Sequence, residues 1–237
     1  QLGDGTQTDR WTPTAVDLGV GMTAVSVSAG GYHSCAVFND GSLKCWGNNG
    51  QGQLGDGTTT ERLTPTAVDL GAGMTAVSVS AGAAHSCAVL NDGSVKCWGN
   101  NGYGSVGDGT TTDRHTPTTV DLGAGMSATS VAAGYRHSCA VLNDGSLKCW
   151  GSYDSGAIGD GTKATRPSPV AVDLGTGMTA VSVAAGFEHT CAVLNDGSLK
   201  CWGENQVGQL GDGTTTERLT PTAVDLGAGM TAVSVSA

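Results

Sequence analysis

Histidine and cysteine are the side chains of this sequence with the widest chemistry, and they recur in a fixed pattern. His33 and Cys35 lie two residues apart, and Cys45 follows ten residues after Cys35. The same spacing occurs three more times, so that four of the five histidines and all eight cysteines belong to it. Such a set offers three kinds of chemistry: nucleophilic catalysis by a thiolate, a metal site with sulfur and nitrogen ligands, or a disulfide.

A hairpin turn lies between the two cysteines of each pair, and its register favours a disulfide. Asn39-Asp40-Gly41 is a strong turn signal, and a three-residue loop places Cys35 opposite Cys45 at a non-hydrogen-bonded position. Cα atoms at such a position lie about 4.5 Å apart, within the range that a disulfide spans. We therefore predict one bridge in each unit, which also indicates an oxidising compartment. The predicted bridges are Cys35–Cys45, Cys87–Cys97, Cys139–Cys149 and Cys191–Cys201.

Metal binding is the alternative use of the same residues. His33 and Cys35 share one face of a strand, and Cys45 opposite them would give three ligands for zinc or copper. A closed structural zinc site takes four ligands and no fourth one recurs, so we predict no metal and no cofactor. Calcium binding at the loop of residues 56–61 is a second alternative, but the spacing of its carboxylates differs from that of an EF-hand loop. Turn capping by its Asp and Thr side chains is favoured there.

The histidines and cysteines mark an internal repeat of 52 residues. The histidines at 33, 85, 137 and 189 keep this step, as do the tryptophans at 46, 98, 150 and 202. Residues 1–29 match residues 209–237 in the same register. The sequence therefore predicts one partial repeat followed by four units, at residues 1–29, 30–81, 82–133, 134–185 and 186–237.

Each unit contains four short segments with the character of β-strands. In one unit they are TAVSVSAG, HSCAVLND, SVKCWG and TPTTVDL, and the first alternates Ala and Val with Ser and Thr. Four antiparallel strands in a unit of about 50 residues are typical of a propeller blade. We predict an all-β fold, a β-propeller of four-stranded antiparallel blades. It should have about four complete blades plus partial terminal strands near residues 12–17 and 231–236.

The repeated motifs resemble a known family. The pattern AGxxHSCAVxNDGSxKCWGxNxxGQLGDGT, followed by TPTxVDL and TAVSVSAG, is similar to the regulator-of-chromosome-condensation repeat, and it covers the whole chain. The resemblance implies a propeller, and typical members close seven blades. It does not imply a role in chromatin or in GTPase exchange. The acidity, the paired cysteines and the nearly interchangeable units instead resemble bacterial secreted and surface proteins that carry such repeats.

Charge and hydropathy exclude several classes of function. The 237-residue chain has 11 Lys and Arg residues against 21 Asp and Glu residues, a formal net charge of −10. This surplus repels phosphate backbones, so we expect no nucleic-acid partner. No apolar run approaches the ~18 residues that would indicate a membrane span.

Departures from the repeat are the best guide to a functional surface. Every histidine and cysteine of the pattern recurs with the fold, so we predict no catalytic residue and no enzymatic activity. The residue just before the repeated histidine varies as Tyr32, Ala84, Arg136 and Glu188. Aromatic and charged residues that cluster on one rim would form a binding surface. The candidate residues are Tyr32, Tyr103, Arg136, Tyr153 and Glu188.

Two functional hypotheses remain. The leading one is a non-enzymatic structural or adhesive repeat protein, extracellular or at the cell surface, that forms a segment of a longer array or filament. Repetition without a distinct site, the disulfides and the acidic surface motivate it. The alternative is a specific protein-binding propeller, such as an inhibitor-like or receptor-binding module. The expected partners are accordingly another protein or further copies of the same chain.

Overall fold

The computed structural model describes residues 1–152 and 154–237. Within these residues the chain is all-β, with sixteen strands in four antiparallel sheets, and each sheet takes four consecutive strands in chain order. This arrangement confirms the predicted propeller blades. A search of the described residues finds no helix with the length and apolar character of a membrane span.

Each blade has an inner strand, a central hairpin and an outer strand. The predicted repeat boundaries at 30, 82, 134 and 186 fall between the first and second strands of a blade and remain a prediction. The first blade contains β1 (Ala24–Ala29), β2 (His33–Phe38), β3 (Leu43–Gly47) and β4 (Arg62–Ala67). The second contains β5 (Ala76–Ala81), β6 (His85–Leu90), β7 (Val95–Gly99) and β8 (Arg114–Thr119). The third contains β9 (Ala128–Ala133), β10 (His137–Leu142), β11 (Leu147–Gly151) and β12 (Arg166–Ala171). The fourth contains β13 (Ala180–Ala185), β14 (His189–Leu194), β15 (Leu199–Gly203) and β16 (Arg218–Ala223).

The Asn-Asp-Gly turn sets the register of the central hairpin. Asp40 Oδ1 accepts a hydrogen bond from the backbone N–H of Ser42 at 2.9 Å, which closes the turn. Gly41 has a φ of 78°, a left-handed conformation that glycine adopts without a steric cost. Because the loop has three residues, Cys35 lies opposite Cys45 in the paired strands. The register is the one predicted from the sequence.

The hydrophobic core lies between neighbouring blades. At the junction of the first and second blades, Val37 and Leu43 belong to the same buried cluster as Leu90 and Trp98. The indole N–H of Trp98 donates to the carbonyl oxygen of Gln53 at 2.9 Å, so a loop of the first blade reaches the tryptophan of the second. Equivalent clusters fill the next two junctions. Apolar burial therefore holds the four blades in one row.

The outer faces of the first and fourth blades carry only half of such a cluster. One half contains Trp46 of the first blade, and the other contains Leu210 of the fourth. Val27 on β1 is 72% exposed, whereas Val79 at the same position of the second blade is 8% exposed. Terminal segments of the chain cover part of these two faces, so that Trp46 and Leu210 are buried while Val27 stays exposed. The two half-clusters match the two sides of an internal junction.

Residues 12–17 and 231–236 do not form β-strands, which corrects the prediction of partial terminal strands. A strand is maintained by backbone hydrogen bonds to a neighbour, and neither segment joins any of the four sheets. The backbone N–H of Ala232 still donates to the carbonyl oxygen of Gly197 at 2.8 Å. Its equivalent, Ala76, makes the same bond to Gly41 at the start of β5. The second segment therefore begins where an inner strand would begin, without a hairpin to pair with.

Candidate functional site

The cysteines are bonded in pairs and withdrawn from other chemistry. The Cα atoms of each pair lie 4.0–4.1 Å apart, and no free cysteine is present among the described residues. A bonded sulfur is neither a nucleophile nor a thiolate ligand. The three-ligand zinc or copper site that the sequence left open at His33 is therefore not assembled. The bridges join Cys35 to Cys45, Cys87 to Cys97, Cys139 to Cys149 and Cys191 to Cys201.

The repeated histidines connect neighbouring blades. His33 Nε2 lies 2.8 Å from the hydroxyl oxygen of Ser86, and that hydroxyl donates to the carbonyl oxygen of Gln53 at 2.8 Å. Since the hydroxyl hydrogen is used in this way, the serine oxygen accepts from the imidazole N–H. The next two junctions repeat the arrangement through His85 and His137. The geometry makes the histidines part of the junction between blades.

Burial keeps these imidazoles neutral. It lowers the pKa of His33 to about 4, that of His85 to about 3 and that of His137 to about 4. For His85, the neighbouring histidines add to the effect of burial. In His33 and His137 the other ring nitrogen, Nδ1, is buried and has no hydrogen-bond partner in the described structure. The carboxylate that orients the base in a catalytic triad is therefore missing at these two histidines.

The loops that contain GDGT are closed by their own side chains. Asp56 Oδ1 accepts from the backbone N–H and the hydroxyl of Thr58, at 3.0 and 2.7 Å, and Asp56 Oδ2 accepts from Arg62 Nε at 2.7 Å. Burial alone would raise the pKa of Asp56, but the bonds from Thr58 and Arg62 outweigh it and hold that pKa below its usual range. Both carboxylate oxygens of Asp56 therefore cap the loop, which is the role favoured from the sequence over calcium binding.

An aromatic and cationic cluster forms at one rim of the second, third and fourth blades. In each blade the loops after the first and third strands lie at the same end, here called the upper rim, because the strands are antiparallel. The guanidinium carbon of Arg136 lies 4.4 Å from the ring centroid of Tyr103 and 4.6 Å from that of Tyr135. The rings of Tyr135 and Phe187 are stacked with centroids 3.9 Å apart. These four residues, Tyr103, Tyr135, Arg136 and Phe187, are called the rim cluster below.

The loops that carry the rim cluster hold each other in place. The backbone N–H of Tyr135 donates to the carbonyl oxygen of Gly186 at 3.1 Å, which joins the β9–β10 loop to the β13–β14 loop. The rings of Tyr135 and Phe187 are brought face to face by this short link. Phe187 remains 63% exposed at the edge of the stack. The cluster thus presents one aromatic face to solvent on a rigid support.

Carboxylates surround the exposed end of the rim cluster. Glu188 follows Phe187, and its carbonyl oxygen accepts from the backbone N–H of Glu204 at 2.9 Å, so the two glutamates lie side by side. Partial burial raises the pKa of Glu188, Glu204 and Asp154 raise it further, and Arg136 opposes them. Three carboxylates, those of Glu188, Glu204 and Asp154, therefore lie near one arginine, so negative charge exceeds positive charge at this place.

The neighbouring loop after β11 departs from the repeat in its backbone. Ser152 and Asp154 have φ values of 72° and 59°, and they are the non-glycine residues of the described chain with a left-handed backbone. Gly50 and Gly102, at the position of Asp154 in the first two units, do not have a left-handed backbone, so the third unit's loop takes a different conformation. A left-handed backbone is disfavoured for a residue with a side chain, and such conformations concentrate at functional sites.

The structure brings only part of the predicted binding surface together. Tyr103 and Arg136 are in direct contact, and Glu188 lies within electrostatic range of Arg136. Tyr32 lies apart from them, at a cavity of about 510 Å³ beside the first blade. Tyr153 falls outside the described residues.

Two aromatic members of the site, Tyr135 and Phe187, are evident departures from the repeat but were not among the predicted binding residues. Tyr135 and Phe187 occupy the position that is Gly31 in the first blade and Ala83 in the second. The change from small to aromatic residues in two consecutive units was the available signal. Their contact could not be inferred, because 52 residues separate them and only the packing of blades brings them together. Glu204, which replaces an asparagine or serine of the other units, was missed for the same reason.

Sequence comparison relates the chain to proteins with RCC1-type repeats. A model of the RCC1-like domain matches residues 1–237. The ultraviolet-B receptor UVR8 of Arabidopsis thaliana is 33% identical over 224 residues, which are 94% of this chain and 51% of the receptor. The human E3 ubiquitin-protein ligase HERC2 is 31% identical over 217 residues, 91% of this chain and 4% of the ligase. The chain thus spans about half the length of the receptor and a small part of the ligase.

Structure comparison agrees with the sequence comparison. Human WBSCR16 superposes with a TM-score of 0.82 at 22% identity, over 92% of this chain and 58% of that protein, which shows the shared fold. Yeast RCC1 (Prp20), solved bound to Kap60, gives a TM-score of 0.73 at 26% identity over 86% of this chain and 49% of that chain. RCC1-like propellers typically bind proteins, and they are mostly binding or regulatory domains. With a family model that matches from end to end and the fold that it requires, this chain belongs to the RCC1-like domain family.

Proposed function

We propose that this chain is a non-enzymatic, protein-binding propeller segment that holds its partner at the rim cluster. The observation that carries the proposal is the stack of Tyr103, Arg136, Tyr135 and Phe187 on the upper rim. Elsewhere the four blades are nearly identical, so a concentration of different residues marks this place.

The composition of the rim cluster supports binding to a protein. Tyrosine and arginine are enriched among the residues that dominate binding energy at protein interfaces. Their side chains are already ordered by mutual stacking, so little conformational entropy is lost when a partner covers them. The position at a loop rim is also typical, since loops on a rigid scaffold carry most binding residues. The yeast relative solved with Kap60 supports the general class of function.

The absence of enzymatic activity is part of the proposal. The buried histidines are engaged in the junctions between blades, and the cysteines are bonded in pairs. Neither residue type offers a nucleophile with an adjacent base among the described residues.

An extracellular or cell-surface location is proposed from the four disulfides. Each unit carries its own bridge, at 0–5% exposure of the cysteines. Disulfides persist in oxidising compartments and are rare where glutathione keeps thiols reduced. A reducing compartment would leave four buried thiol pairs, three of them in the junctions between blades.

Selection from a random peptide library on phage tests the proposed binding. The library is panned on the chain and on the double variant Tyr135→Gly, Phe187→Ala, which carries the small residues of the first two blades. We expect most selected clones to bind the variant about tenfold or more weakly, because the exposed stack is gone. The control variant is Val77→Ala, Val181→Ala, which removes two exposed apolar side chains from inner strands. Clones that bind the chain and the rim variant equally would refute the rim cluster as the binding site.

Self-association is the second candidate, and it would give the structural or filament role. It is favoured by the two half-clusters, which match the two sides of an internal junction, and by the exposed Val27 and Val233 beside them. His189 on the fourth blade has the position of a donor to the next blade, and Ser34 on the first blade has the position of the acceptor. Ser34 Oγ already donates to the carbonyl oxygen of Gln1 at 3.1 Å, as its equivalents do within the junctions. A second copy could therefore dock end to end. Head-to-tail contacts of this kind give filaments when the copies do not close into a ring.

Sedimentation velocity at increasing protein concentration tests this second candidate. Val27→Lys places a charge on the exposed inner strand of the first blade and should prevent the assembly. Val77→Lys is the matched control, because Val77 is 59% exposed on the second blade and does not lie in a junction face. A chain that sediments as a monomer at every concentration would exclude self-association of these residues.

A further inference from the structure

The surface around Phe187 has the chemistry of a site for a cation. Its two distinguishing features are an exposed aromatic face and a surplus of negative charge. Phe187 is stacked on Tyr135 by one face, and its exposed fraction of 63% leaves the remainder of the ring to solvent. Glu188 is the next residue in the chain, and its carbonyl oxygen accepts a hydrogen bond from the backbone N–H of Glu204.

The rim cluster itself contains a working example of such binding. Arg136 is held between Tyr103 and Tyr135, with its guanidinium carbon within 4.4 and 4.6 Å of the two ring centroids. Distances below about 6 Å are those of an energetically useful cation–π contact. The rings of this rim are therefore accessible to a guanidinium placed over them.

The local charges determine the sign of the ligand. Arg136 and Lys163 are the cations of this region, and Lys163 is paired with Glu217 at 2.7 Å. Glu188, Glu204 and Asp154 are the carboxylates that act on one another and on these cations. One arginine against three carboxylates leaves the surface negative, in a chain whose formal net charge is already −10. An anionic partner would be repelled, and a cationic one would be attracted.

We infer that the rim cluster binds an arginine-bearing, basic segment of a partner protein, with one guanidinium stacked on Phe187 and paired with Glu188 and Glu204. A planar guanidinium satisfies both features at once, because it stacks on an aromatic face and donates in its plane to two carboxylates. Lysine offers a compact charge without a face, so it fits this place less well. The inference rests on the proposed protein-binding function and names the chemistry of its partner.

Fluorescence anisotropy with defined peptides tests the inference. The probes are labelled nonapeptides that alternate glycine with arginine, with lysine or with glutamate. We expect the arginine peptide to bind about tenfold more tightly than the lysine peptide, and the glutamate peptide not to bind. Raising the ionic strength to about 0.15 M should weaken the binding, because the attraction is partly screened.

Variants of the chain localise the binding. Phe187→Ala, which installs the residue of the second blade, and the double variant Glu188→Gln, Glu204→Gln should each lose about tenfold or more in affinity for the arginine peptide. Trp11→Ala and Asp9→Asn remove an exposed aromatic ring and a carboxylate beside the first blade and serve as controls. Equal losses in the control variants would show unspecific attraction to an acidic protein and overturn the inference.

The remaining outcomes separate this inference from the function on which it rests. Equal binding of the lysine and arginine peptides would overturn the assignment of arginine. Phage clones that lack basic residues and still depend on Tyr135 and Phe187 would also overturn it, while protein binding at the rim cluster would stand. If no clone depends on the rim cluster, the proposed function itself fails.

Discussion

The Nε2 atom of His137 lies 2.8 Å from the hydroxyl oxygen of Thr190 in the next blade. That hydroxyl donates to the carbonyl oxygen of Ala157 at 2.8 Å, so its oxygen accepts from the imidazole N–H. The same chain of hydrogen bonds occurs at the two preceding junctions with serine in place of threonine. A residue type that suggests catalysis in the sequence therefore holds blades together.

Removing the hydroxyl of Thr190 should destabilise the chain. Thr190→Val keeps the shape of the side chain but leaves the buried N–H of His137 without an acceptor. An unsatisfied buried group costs about 1–3 kcal/mol in the free energy of unfolding. Urea denaturation measures the loss, and Thr190→Ser, which restores the residue of the other units, is the control. Equal stabilities of the two variants would show that this hydrogen bond does not stabilise the junction.

The buried histidines should make stability depend on pH below neutrality. The pKa of His85 is lowered to about 3 in the folded chain, below the value of about 6.5 of an unfolded chain. The unfolded state therefore binds more protons, and the free energy of unfolding decreases as pH falls from about 6.5 towards the folded pKa. His85→Gln removes this one titration and should reduce the slope between pH 7 and pH 4, while His33 and His137 still contribute to it.

His115→Gln is the matched control for the pH experiment, because it removes an exposed histidine from an outer strand. Denaturation curves at several pH values give the slopes. A slope for His85→Gln as steep as that of the unmodified chain would mean that other groups cause the acid sensitivity.

Alanine substitutions at two glycines distinguish the cost of backbone strain from the cost of lost close packing. Gly55 and Gly73 have φ values of 71° and 75°, but a Cβ on Gly55 would lie 2.6 Å from the indole Nε1 of Trp98, whereas nothing lies within 4 Å of one on Gly73. Gly73→Ala should cost about 1–2 kcal/mol through its left-handed backbone alone. Gly55→Ala should cost more, since the tryptophan must also move. Equal losses in thermal or urea denaturation would contradict the importance of the close approach.

The sequence predicts well those features that are set within a few residues. The Asn-Asp-Gly turn fixes the hairpin register, so the pairing of Cys35 with Cys45 is determined within a segment in which the two cysteines are only 10 residues apart. The prediction of terminal strands was wrong. Alternation of apolar and polar residues shows that a segment is suited to a β-sheet, but it does not show that a neighbouring strand is present to pair with it. A strand exists only where a second backbone satisfies its hydrogen bonds.

Contacts between blades are harder to predict from one sequence. His33 reaches Ser86 across 53 residues, and nothing in a single unit indicates that the two side chains meet. The rim cluster illustrates the same limit, since Tyr103 and Arg136 were both noticed as departures from the repeat but their stacking depends on the angle between blades. Local patterns give the blade, and the packing of blades gives the site.

The bridge between Cys87 and Cys97 should stabilise the chain by restricting its unfolded state. It closes a loop of about 11 residues, for which the chain-entropy model gives roughly 2.5–3 kcal/mol. Peptide mapping without reduction should first recover the two cysteines in one linked pair. The double variant Cys87→Ala, Cys97→Ala should then lose this free energy of unfolding plus the packing of two sulfurs in a buried junction.

Cys191→Ala, Cys201→Ala is the informative comparison, because it opens a loop of the same length at the half-cluster of the fourth blade, where less packing is lost. The second variant should therefore lose less stability than the first, but still about the loop contribution. Free thiols in the untreated chain, or a second variant as stable as the unmodified chain, would contradict this account.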